Sequence, residues 1–139
     1  MNRFVLDASV ALSWFVDVPV HSYAVAIRDR IRAGARGIVP QLWQLEFANG
    51  LIVAERRKLL NVETANEAVE GVERLMRSEV TVELEFPRIG EVLAGARAYQ
   101  LTAYDAAYLE LAQREVVPLA TLDKSLAAAA KKAGVELLK

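Results

Sequence analysis

The chain has 139 residues, 54% of them apolar and 25% charged, with a formal net charge of −1. That length suits one domain with a real core, and the apolar content excludes a disordered chain. The absence of cysteine and the single histidine, His21, exclude disulfides, thiolate metal sites and any centre built on several imidazoles, so a bound metal must be held by oxygen, as hard cations such as Mg²⁺ or Mn²⁺ are.

Met1-Asn2-Arg3 leads straight into Phe4-Val5-Leu6-Asp7-Ala8-Ser9, where three large apolar residues end at an aspartate and a hydroxyl. Such a run suits a strand buried on both faces, with the carboxylate at the strand end where open α/β sheets bind their ligands. No leader precedes the strand and no apolar run approaches a membrane span, so a soluble cytoplasmic protein is expected.

Val10 to Val16 suits a short helix, and Asp17-Val18-Pro19 breaks it. A helix follows over 21–33, closed by Gly34, then a brief strand at Gly37-Ile38-Val39 stopped by Pro40. Gln41 to Lys58 reads as a long helix, apolar around most of its circumference and so suited to burial on more than one side. The next helix spans 61–78, and the Thr64/Glu67 pair marks a capping box that would start it at Thr64. Val80 to Leu84 favours strand. Pro87 suits the first turn of a helix running to about Tyr99. Thr102 to Glu115 is helical, Val116 to Leu122 holds a short strand, Asp123 to Ala133 is an alanine-rich helix, and Val135 to Leu138 is a last strand.

Strands alternating with helices predict a three-layer α/β/α sandwich around a parallel sheet, formed by residues 1–139 as a single domain. No glycine-rich phosphate cradle follows any strand, which excludes dinucleotide-binding and P-loop enzymes.

Of the five aspartates, Asp7, Asp105 and Asp123 stand at element boundaries on one end of the predicted sheet. Helix capping accounts for each of them taken singly. Glu46 is different. On a helix its near neighbours are Leu42, Trp43, Asn49, Gly50 and Val53, so it lies within a mostly apolar face. Asp105 has a similar setting, with Glu110 and Arg114 expected on the far side. Carboxylates facing a core need a cation. Four converging ones fit a divalent ion, and metal-assisted phosphodiester hydrolysis is the chemistry that uses such a site.

In their order and spacing, Phe4-Val5-Leu6-Asp7-Ala8-Ser9, Leu45-Glu46-Phe47-Ala48-Asn49, Leu101-Thr102-Ala103-Tyr104-Asp105-Ala106-Ala107-Tyr108 and Pro118-Leu119-Ala120-Thr121-Leu122-Asp123 resemble PIN-domain ribonucleases, specifically the VapC-like toxins of type II toxin–antitoxin modules. The resemblance covers essentially the whole chain. It implies a parallel sheet of about five strands and Mg²⁺- or Mn²⁺-dependent endoribonuclease activity. It maps the acidic, metal-holding residues onto Asp7, Glu46, Asp105 and Asp123, with Ser9 and Thr121 as supporting hydroxyls. It further implies an RNA substrate, a homodimer and a cognate antitoxin protein. Arg28, Arg32, Arg56, Arg57 and Lys124 are candidates for a local basic rim. Two other readings compete. A phospho-receiver-like signalling module needs an acidic pair near its first strand, and Asp7 has no acidic neighbour. A fold of this kind acting only as a binding partner, or on DNA, is the other.

Overall fold

The computed structural model describes residues 2–139. Its sheet is parallel throughout, with β1 (Arg3–Leu6), β2 (Arg36–Val39), β3 (Val80–Val82) and β4 (Leu119–Ala120) in the order β3-β2-β1-β4. β1 is therefore flanked on both sides. Phe4, Val5 and Leu6 are fully buried, each contributing about 1.5–3 kcal/mol of apolar burial.

Among the described residues seven helices surround the sheet: α1 (Ala8–Val16), α2 (Ser22–Arg32), α3 (Leu42–Arg56), α4 (Val62–Ser78), α5 (Ile89–Tyr99), α6 (Ala103–Glu115) and α7 (Lys124–Lys132). Right-handed crossovers explain their distribution. The chain moves outwards from β1 to β2 to β3, which sets α1 to α4 on one face. It then returns across β1 to β4, which sets α5, α6 and α7 on the other. Helix contacts follow this division: α1 packs on α2, α3 and α4, while α6 packs on α5 and α7. The outcome is the three-layer sandwich that the sequence predicts.

The reversal of direction falls between β1 and β4, so a crevice opens beyond the ends of those two strands. Their register sets Val5 beside Leu119 and Leu6 beside Ala120. The Asp7 N–H continues the ladder to the Ala120 carbonyl at 2.9 Å, which brings Asp7 level with Thr121. On the α1 side, Phe15 meets the edge of Phe47 and Trp43 stacks on Phe47, both with ring centroids 5.8 Å apart. Gly50 permits this close approach of α1 to α3, because a Cβ there would stand 2.5 Å from the Leu12 methyl carbons.

Several sequence-based boundaries shift. α4 starts at Val62, not Thr64, because the Asn61 side chain accepts the Thr64 N–H at 2.8 Å and takes the capping position. α5 starts at Ile89, leaving Pro87 ahead of the helix instead of in its first turn. The expected fifth strand at 135–138 shrinks to a single parallel bridge, Leu119 to Leu137, held by two backbone hydrogen bonds of 2.9 Å at Leu119. Glu110 and Arg114 do not face away into solvent. Glu110 is 4% exposed and accepts the Arg88 N–H, and Arg114 binds Glu110 at 3.0 Å while reaching Glu83 and Glu85 in the segment after β3. That segment folds over the α6 face which the helix period alone assigns to water.

The long helix α3 buries one stripe, Trp43, Phe47, Leu51 and Ala54, and leaves Leu45 and Ile52 exposed. Leu84 and Phe86, in the segment after β3, and Ile89, at the start of α5, are also exposed. No helix among the described residues is long and apolar enough to cross a membrane.

Candidate active site

Asp7 occupies the position that would cap α1, yet its carboxylate makes no capping hydrogen bond. It is spent elsewhere. Ser9 Oγ and Thr121 Oγ1 both donate to Asp7 Oδ2 at 2.7 Å. Each hydroxyl is itself fixed by a backbone donor: Ser9 Oγ accepts the Leu122 N–H at 3.0 Å, and Thr121 Oγ1 accepts the Asp123 N–H at 2.9 Å. These N–H groups orient the hydroxyl protons towards Asp7. A buried carboxylate thus keeps two charge-assisted hydrogen bonds, and among the described residues no lysine, arginine or histidine pairs with it.

Asp123 follows β4 and does cap its helix, accepting the Leu126 N–H through Oδ1 at 2.9 Å. Asp105 lies in the first turn of α6, where the Thr102 side chain supplies the cap by accepting the Asp105 N–H at 3.1 Å. Glu46 rises from α3, half-buried, and its Oε1 accepts the hydroxyl of Tyr108 from α6.

All four carboxylates line one cleft of about 590 Å³, together with Ser9, Leu12, Leu42, Leu45, Asn49 and Tyr104. Asp7 comes from the end of β1, Glu46 from α3, Asp105 from α6 and Asp123 from the end of β4, so the crevice at the sheet reversal is where they meet. Their charges act on one another. Burial raises the Asp7 pKa, opposed by the Ser9 and Thr121 hydroxyls and reinforced by the charge of Asp123. Burial likewise raises Glu46, opposed by the Tyr108 hydrogen bond and reinforced by Asp7 and Asp105. Asp105 is raised by burial, then by Asp123 and Asp7. The Tyr108 phenol is pushed far up by burial and by the Asp7 and Glu46 charges, so it stays protonated and serves as a donor.

Among the described residues no lysine, arginine or histidine lines this cleft. Arg32 pairs with Asp29 at 3.9 Å on the surface, Arg28 is half-buried on α2, and Arg56, Arg57 and Lys124 are exposed, so none of the candidate basic residues balances the acidic floor. The donor set is oxygen alone, as a hard divalent cation requires. Among the described residues no three carboxylate or imidazole side chains stand close enough to enclose a bare ion. The cleft leaves room for an ion that keeps part of its water shell, as Mg²⁺ usually does.

The Tyr108 hydroxyl is the group at this site that the sequence pattern did not single out. The available signal was its position one helical turn beyond Asp105, on the same face, together with the need of any buried phenol for a partner.

The sequence profile of the PIN domain matches residues 4–132. Among solved structures, PAE2754 from Pyrobaculum aerophilum is 28% identical, with 92% of this chain and 84% of that one aligned at a TM-score of 0.67. FitAcB from Neisseria gonorrhoeae has the same fold at 19% identity, with 98% and 96% of the two chains aligned at a TM-score of 0.66. No curated protein matches the chain. With the profile spanning nearly its whole length, and with the expected acidic residues gathered at the reversal of a parallel sheet, the chain belongs to the PIN domain family.

Proposed function

We propose that this chain is a metal-dependent endoribonuclease, acting as the VapC-like toxin of a type II toxin–antitoxin module. The observation that carries the reading is a cleft lined by four carboxylates, with no lysine, arginine or histidine among the described residues that line it. Asp7, Glu46, Asp105 and Asp123 are the residues that would hold Mg²⁺ or Mn²⁺. A bound ion of this kind would neutralise charge on a phosphodiester and make water a competent nucleophile near neutral pH. The chain's own part is positional. Ser9 and Thr121 hold Asp7 by its Oδ2, the α7 cap holds Asp123 by its Oδ1, and α6 carries Asp105 to the rim. No serine, cysteine or histidine nucleophile is required.

The toxin assignment rests on the resemblance of the four motifs, and the exposed apolar residues Leu45, Ile52, Phe86 and Ile89 support surfaces for a second copy of the chain and for an antitoxin. A phospho-receiver role lacks support, since Glu46 stands mid-helix on α3 and not at a strand end.

Incubating the purified protein with single-stranded RNA and DNA of the same sequence, in Mg²⁺ and in excess EDTA, tests the reading. It predicts internal cuts in the RNA that disappear with EDTA. DNA cut as fast as RNA would refute the ribonuclease assignment, and cleavage surviving EDTA would refute the metal dependence.

A further inference from the structure

Tyr108 is fully buried, and its hydroxyl is the one polar atom that its side chain carries into the core. That hydroxyl donates to Glu46 Oε1, joining α6 to α3 at a residue that lines the cleft. Among the described residues it is the only hydrogen-bond donor to the Glu46 carboxylate. A half-buried glutamate on a helix otherwise keeps several rotamers, and fixing it to one costs conformational entropy each time it is needed. Asp7 is held by hydroxyls of Ser9 and Thr121, and Asp123 by its own helix start. Glu46 has only Tyr108. Asp105 and Tyr108 are three residues apart on α6, so one helix face supplies a carboxylate to the cleft and the arm that orients another.

We infer that Tyr108 is the positioning residue of Glu46, engaging Oε1 so that Oε2 is left for a divalent cation. This rests on the metal-holding role proposed above for Glu46. Side chains that orient ligands in this way typically tune metal affinity by about 10–100-fold. A purely structural Tyr108 would fill core volume and satisfy its hydroxyl, with no effect on ion binding beyond any loss of fold.

The test is a double-mutant cycle on Mn²⁺ binding without RNA, read by titration calorimetry, with a urea unfolding curve for every variant. Tyr108→Phe keeps the ring and removes only the hydroxyl. It is expected to weaken Mn²⁺ binding about tenfold in the parent protein and less than twofold in Glu46→Ala. Unchanged affinity in Tyr108→Phe, or an equal loss with and without Glu46, overturns the inference while leaving the metal site intact. A parent protein that binds no Mn²⁺ overturns the metal site itself, and the inference with it. A second measurement needs no change at Tyr108. In the metal-free parent its hydroxyl proton is expected to be protected from exchange and visible by NMR, and Glu46→Ala is expected to release it. Protection that survives Glu46→Ala contradicts the assigned bond.

Discussion

Thr121 Oγ1 donates to Asp7 Oδ2 at 2.7 Å and accepts the Asp123 N–H at 2.9 Å, so one hydroxyl ties the ends of two neighbouring strands and two acidic residues together. The β1–β4 register permits this contact, since Leu6 beside Ala120 brings the next residues, Asp7 and Thr121, side by side. The fold thereby converts strand pairing into the geometry of a carboxylate.

Replacing Thr121 with valine keeps the shape and removes the hydroxyl. One donor to Asp7 is lost and the Asp123 N–H loses its acceptor, which is expected to cost about 1–3 kcal/mol in urea unfolding. RNA cleavage is expected to fall about tenfold or more. Thr121→Ser retains the hydroxyl and is expected to restore most of the activity. A valine variant as active as the parent would show that Asp7 does not depend on this contact.

Asp7 also predicts a pH signature in the metal-free protein. Its folded-state pKa is raised above the usual value of 3.8, with burial the largest cause. The folded protein therefore binds the proton more tightly than the unfolded chain does. This contribution to stability is complete below the unfolded pKa and is lost as pH rises through the folded one. Asp7→Asn removes the buried charge and still offers an oxygen to Ser9 and Thr121. At neutral pH it is expected to melt above the metal-free parent, with the gap closing as pH falls towards the ordinary carboxylate range. A variant that melts lower at neutral pH would contradict the direction of the Asp7 shift.

The Arg114 cluster predicts a stability effect remote from catalysis. Its side chain is 9% exposed and grips Glu110, itself 4% exposed. Arg114→Leu would strand a buried carboxylate, and urea unfolding is expected to show a loss of about 3–5 kcal/mol. Adding Glu110→Gln removes the stranded charge and is expected to recover a good part of it. Additive losses in the double variant would mean that the two residues are not energetically paired.

Phe4 to Leu6 and the alternation of strands and helices were legible because local pattern determines them, and the element-end and helix-face positions of Asp7, Glu46, Asp105 and Asp123 pointed to the cleft that they line together. Burial on both faces requires an unbroken apolar run, and crossover handedness then sets the layers. The sequence was silent where a distant segment decides. Glu110 and Arg114 read as a solvent face until the segment from Glu83 to Arg88 covers them. Asn61 outcompeted Thr64 as a cap because the two differ by less than one turn and both are good capping residues. The strand at 135–138 reduced to a bridge because only Leu119, in the two-residue strand β4, pairs with it. Asp7 looked like a cap, and only the position of Thr121 across the sheet reveals that its carboxylate is engaged elsewhere.

The most direct test of the account is the rate at which Asp7→Asn cuts single-stranded RNA in Mg²⁺, beside the parent and with both melting curves recorded. The account predicts a folded variant whose rate falls by more than about a hundredfold, beyond the range seen for residues that merely orient a metal ligand. A folded Asp7→Asn protein that cuts RNA as fast as the parent would contradict it.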